Sequence, residues 1–108
     1  MRSIFYISDQ TGITTEKLGT ALLGKFPQVE FRKENFPFAD TPAKISQALM
    51  KVRNRFLLDK QHPIIVSSVI NPELRKLLHV DYAVTLDFFE AFIGKLEDEL
   101  GCKATLEV

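Results

Sequence analysis

The sequence has no tryptophan, a single cysteine and no net charge. Each shortage removes a class of protein. One cysteine, Cys102, cannot form an intrachain disulfide, so a reducing, cytosolic compartment is the expectation. Cys102 itself reads as a bystander near the chain end, not a reactive thiol. Fourteen basic residues balance fourteen acidic ones, without the basic excess that a nucleic-acid surface shows. No apolar run approaches the roughly eighteen residues of a membrane helix, and the opening Met1-Arg2-Ser3-Ile4-Phe5-Tyr6-Ile7-Ser8 turns polar too soon for a signal peptide. A soluble, cytoplasmic chain with neither nucleic-acid nor membrane partners follows. Both Gly-rich phosphate motifs, G-x-x-x-x-G-K-[ST] and G-x-G-x-x-G, are missing as well. Gly19 and Gly24 fall within or at the end of a helical stretch, not between a strand and a helix. By motif there is no nucleotide site.

What is present suits one compact domain. The 108 residues are 45% apolar, with nine Phe and two Tyr supplying the aromatics. A chain of this size buries roughly two-thirds of the surface it would otherwise expose. Four strand-like runs alternate with four helix-like ones. Ile4–Ile7 is continuously apolar, as in a strand covered on both faces. From Ile13 to Phe26 the apolar positions Leu18, Ala21, Leu22 and Phe26 recur at helical spacing, with Gly24 and Pro27 marking the end. Thr11, Gly12 or Thr14 could each cap the start. Val29–Phe36 alternates like an edge strand guarded by charge. Thr41-Pro42 then supplies a cap and a proline at the first helical position, followed by Ile45, Ala48, Leu49, Val52 and Phe56 on one helical face. Pro63–Val66 is the third strand, and Asn71-Pro72 opens a short helix to about His79. Tyr82–Leu86 is the fourth strand. Asp87 and Glu90 have capping-box spacing, and Phe89, Phe92, Ile93, Leu96 and Leu100 line the last helix up to Gly101. Residues 1–101 therefore form a single α/β domain, and 102–108 begin a linker or a further strand.

Strict β-α alternation predicts an open, mostly parallel four-stranded sheet with helices on both faces. The charged second strand belongs at an edge, which favours the order 2-1-3-4. In such sheets ligands bind beyond the carboxyl ends of the strands, where strand order reverses. Ser8, Asp9, Thr11, Gly12 and Thr14 follow strand one, and Ser67 and Ser68 follow strand three. Hydroxyls, a glycine and a helix start are what an anion site uses. The same residues also serve as ordinary caps and turn braces, and Asp9 would repel a bound anion unless it acts as a base, a ligand or a hydrogen-bond anchor. Asp87 reads as a helix cap. His62 and His79, with no second His, Cys or acidic residue at ligand spacing, read as surface or capping histidines, so no metal is expected. Arg75-Lys76 and Lys51 to Arg55 read as solvated helix faces.

The run from Ile4 to Gly19, with its Ser8-Asp9-Gln10-Thr11 turn and its Thr14-Thr15-Glu16-Lys17-Leu18-Gly19 helix, is similar to the opening of the bifunctional regulators of pyruvate, phosphate dikinase and phosphoenolpyruvate synthase. Phe36-Pro37-Phe38, Pro63–Val66, Pro72-Glu73-Leu74-Arg75 and Leu86-Asp87-Phe88-Phe89 follow in that family's order. The expected sheet with helices on both faces is a three-layer fold of Rossmann or flavodoxin-like type. The resemblance implies a serine/threonine kinase that uses ADP to phosphorylate a threonine of either target enzyme, and that removes the phosphate by phosphorolysis with inorganic phosphate. The family's nucleotide-binding P-loop lies in its second half, so the ADP and phosphate sites are expected outside this chain, and the chain alone is expected to be inactive. Two other readings stand beside it. Asp9-Gln10-Thr11-Gly12-Ile13-Thr14 resembles the flavodoxin phosphate loop, with Asp9 in place of its first threonine, which suggests a stand-alone phosphate- or small-ligand-binding module. The third is a docking domain that recognises the target enzyme or pairs protomers as a homodimer.

Overall fold

Strand β1 (Arg2–Ile7) runs through the middle of the sheet, and Ser3 to Ile7 are all buried. The computed structural model describes residues 1–105. After β1 come α1 (Ile13–Leu23), β2 (Phe31–Phe36), α2 (Pro42–Asp59), β3 (Ile64–Ser67), α3 (Pro72–Leu77) and β4 (Val84–Asp87). A π-helical turn, Phe89–Ile93, then runs directly into α4 (Gly94–Leu100). The strands form one sheet in the order β2-β1-β3-β4, parallel throughout, as the alternation of elements predicted. Ile4 lies opposite Ile64, and Tyr6 opposite Val66. The part of the expected terminal strand or linker from 106 to 108 lies outside the described residues.

Because side chains alternate across a strand, β1 feeds two separate cores. Phe5 and Ile7 point to the layer of α2 and α3, where they meet Ile45, Ala48, Val52, Ile65 and Leu74. Ile4 and Tyr6 point the other way, toward Val66 and Phe88, with Leu23 of α1 packed beside them. The first core is the better filled. Ile45, Ala48 and Val52 are fully buried, and each large aliphatic side chain so placed contributes about 1.5–3 kcal/mol. Thr41 caps α2 by accepting from the Lys44 N–H at 3.2 Å. Asn71 caps α3 through the Glu73 and Leu74 N–H groups at 2.9 and 3.2 Å. A cap of this type is worth about 1 kcal/mol. Both were legible as a capping residue followed by proline.

The second face departs from what helical spacing implies. The stripe of α1 that would ordinarily turn inward, Leu18, Ala21 and Leu22, faces solvent, together with Ile13 and Phe26. The buried residues of α1 are instead Thr15 and Gly19. The reason is steric. A Cβ on Gly19 would lie 2.3 Å from Cε1 of the buried Tyr6 ring, so α1 comes down on the sheet at Thr15 and Gly19. The last helix repeats the pattern, for Phe92, Leu96 and Leu100 are all more than half exposed and α4 buries no residue. Boundaries also shift. β4 occupies Val84–Asp87 and not Tyr82–Leu86, and α3 stops at Leu77, short of His79. Tyr82 is drawn off toward α2, its ring 6.3 Å from that of Phe56. Val29 lies before β2 and is exposed.

Candidate functional site

At the carboxyl end of the sheet the turn after β1 meets the turn after β3. Ser8 follows β1 and is buried, and its Oγ accepts from the Gln10 N–H at 3.1 Å. Asp9, almost wholly buried, reaches across and accepts from the Ile70 N–H at 3.0 Å. Gly12 then takes a left-handed backbone (φ 83°) and opens α1 without a side-chain cap. That conformation suits glycine and few other residues. Of the three candidate caps, Gly12 is the one used. Thr11 Oγ1 accepts from the Ile13 N–H at 3.4 Å.

Three hydroxyls converge behind this turn. Thr15 Oγ1 is hydrogen-bonded to Ser68 Oγ, and Ser68 Oγ donates to Ser8 Oγ at 3.4 Å. They form one wall of a small cleft, about 150 Å3, which Asp9, Gly12 and Thr14 also line. The first-turn amides of α1 bring a partial positive charge to the same spot. A cleft of this size is below the roughly 300–1,000 Å3 of small-molecule pockets.

Of the seven residues singled out in the sequence, Ser8, Asp9, Gly12, Thr14 and Ser68 line the cleft. Thr11 stands beside it, exposed and engaged with its own turn. Ser67 does not join them. Alternation along β3 turns it away from Ser68, and it is fully buried with its Oγ accepting from the Val69 N–H at 3.2 Å. Thr15 was missed. Its signal was available, since Thr15 and Gly19 are spaced i, i+4 and would share a helix face, but two small residues carry little hydrophobic weight.

A second polar cluster lies beyond β4. Asp87 Oδ1 accepts from the N–H groups of Phe89 and Glu90 at 2.9 and 3.2 Å, which is the capping role expected of it. Its Oδ2 meets Arg75 Nε at 3.3 Å and His79 Nε2 at 3.1 Å. Burial alone would raise the Asp87 pKa. The Glu90 N–H, His79 and Arg75 outweigh it and hold the carboxyl below its usual value. Glu90 stands 3.9 Å from His79. His79 is therefore not the solitary surface histidine that its sequence neighbourhood suggests, because the fold carries two acids to it. The ligand atoms of His79, Asp87 and Glu90 lie within 4.8 Å of one another. Arg75, held over the Phe89 ring at 4.1 Å, pairs with the Asp87 carboxylate of this set. Elsewhere, a groove of about 300 Å3 between β2 and α2 is lined with charge, but Arg32 and Arg55 are paired with Asp59 and Lys51 with Glu34. That is a solvated ion-pair surface. No helix among the described residues is long and apolar enough to cross a membrane.

A protein of Laribacter hongkongensis named as a phosphoenolpyruvate synthase regulatory protein is 45% identical over 108 residues, 99% of this chain and 39% of that protein. Proteins of the same name from Neisseria gonorrhoeae and Azoarcus sp. (strain BH72) are each 41% identical over 105 residues, 97% of this chain and 38% of theirs. The chain thus spans about two-fifths of the length of the curated relatives it matches. No solved structure matches it. The profile of the kinase/pyrophosphorylase family matches residues 4–108. On that match and these identities, the chain belongs to the kinase/pyrophosphorylase family.

Proposed function

We propose that this chain is the N-terminal portion of a cytoplasmic regulator that phosphorylates, and by phosphorolysis dephosphorylates, a threonine of phosphoenolpyruvate synthase. The observation that carries the reading is the family match over residues 4–108, joined to relatives named for regulation of that enzyme. ADP and the P-loop that holds it belong to the part of the protein beyond this chain, in keeping with a sequence that has no Gly-rich phosphate cradle. The role assigned to this portion is to hold the target threonine, or its phosphoryl group, in the cleft between the turns after β1 and β3. Ser8, Thr15 and Ser68 offer hydroxyls, and the start of α1 offers amides. Asp9 orients the threonine hydroxyl or takes its proton as general base.

The test is Asp9→Asn in the full-length protein. An asparagine oxygen can still accept from the Ile70 N–H, so melting should be nearly unchanged. Phosphotransfer and phosphorolysis should both fall by about a hundredfold or more, the usual size for a lost acid–base group. Full activity, or a loss only in proportion to lost folded protein, would leave Asp9 a brace for the turn and nothing more.

A further inference from the structure

The two helices on the Tyr6 side of the sheet carry their apolar stripes outward. On α1 and the turn after it these are Leu18, Leu22 and Phe26; on the last helix they are Phe92, Leu96 and Leu100. Leu22 is 44% exposed, Phe92 54% and Leu100 67%. Leu22 and Phe92 both line one open cleft of about 730 Å3, together with Leu86 and Phe88, so the two stripes meet there. Scattered apolar side chains are ordinary on a protein surface, whereas a continuous patch marks something that docks there. Here the patch is built from two helices with helical periodicity: α1 sends Thr15, Gly19 and the partly buried Leu23 toward the sheet, and α4 buries no residue. The opposite layer shows the contrast, because α2 directs Ile45, Ala48 and Val52 into the core.

We infer that this face is the docking surface for the rest of the same polypeptide, the larger part that the relatives possess and this chain does not span. Two observations favour that occupant. Almost the whole of this chain matches only 39% of a relative's length, so in that relative a larger mass of protein is covalently tied to the matching domain. A tethered partner also docks at a high effective concentration, and so needs no more than a modest apolar patch. The inference rests on family membership and not on the role given to Asp9.

Cysteine labelling tests it directly. Leu22→Cys and Leu96→Cys are made singly, with Leu57→Cys on α2 as the exposed control. Each is placed in the 108-residue chain and in the protein carrying its full family length. Maleimide labelling is followed at that position by peptide mass spectrometry. Labelling at positions 22 and 96 should slow at least tenfold in the long protein, independently of protein concentration, while position 57 is unchanged. Equal rates in the two lengths would overturn the inference. So would protection that appears in the 108-residue chain as it is concentrated, or that is lost from the long protein on dilution. Either result would assign the face to a second copy.

Discussion

Gly19 is the residue on which the placement of α1 turns. It is not at a turn and needs no unusual backbone; what it supplies is the lack of a Cβ against Tyr6. Ordinarily alanine would favour a helix interior over glycine by about 1 kcal/mol. Here the added methyl meets a ring that is almost wholly buried and has no room to swing aside. Overpacking of this kind costs about 1–3 kcal/mol and exceeds the gain. Gly19→Ala is therefore expected to lower the melting temperature of the chain by several degrees, measured by circular dichroism. An unchanged or raised value would mean that α1 does not rest on Tyr6. Thr15, one turn earlier on the same face, is the other residue that lets α1 come close, and its hydroxyl finds Ser68 because of that proximity.

Among elements, the join between α3, β4 and the last helix depends on one carboxylate. Asp87 caps the turn through Oδ1 and holds Arg75 and His79 through Oδ2. Its pKa is lowered on folding, so the folded state binds the Asp87 proton less readily than the unfolded chain does. The stability this provides is present above the ordinary aspartate value, about 3.9, and is lost as pH falls from there through the lower folded value. Asp87→Asn keeps a capping oxygen but gives up the charge. It is expected to be less stable than the parent at pH 7 and to approach it at pH 3, in thermal melts at both. A difference that is the same at the two pH values would show that Asp87 acts only as a neutral cap. The capping role was legible in the spacing of Asp87 and Glu90. The contacts to Arg75 and His79 were not, because they depend on where α3 packs over the end of β4.

For the whole molecule, stability is divided unequally between the two faces. The layer of α2 and α3 is filled, while that of α1 and α4 is open on its outer side. In native-state hydrogen exchange, amides of β1 and β3 should open only with global unfolding. Those of α4, which buries nothing, should exchange orders of magnitude faster. Equal protection of α4 and β3 in a monomeric 108-residue chain would contradict the packing described. The parallel sheet, its strand order and the α2 layer were determined by the sequence alone. Alternating elements, continuously apolar strands, a charged edge and two cap-plus-proline signals are local, and each points to the same arrangement. The position of the cleft followed too, since it is set by where strand order reverses. Only the tertiary structure decided which side of α1 and α4 faces the sheet, that Ser67 leaves the cleft and Thr15 joins it, and that His79 meets Asp87. Hydrophobic periodicity shows that a helix has an apolar side. It does not show whether that side covers the domain's own sheet or waits for another surface, because both bury the same side chains at similar gain.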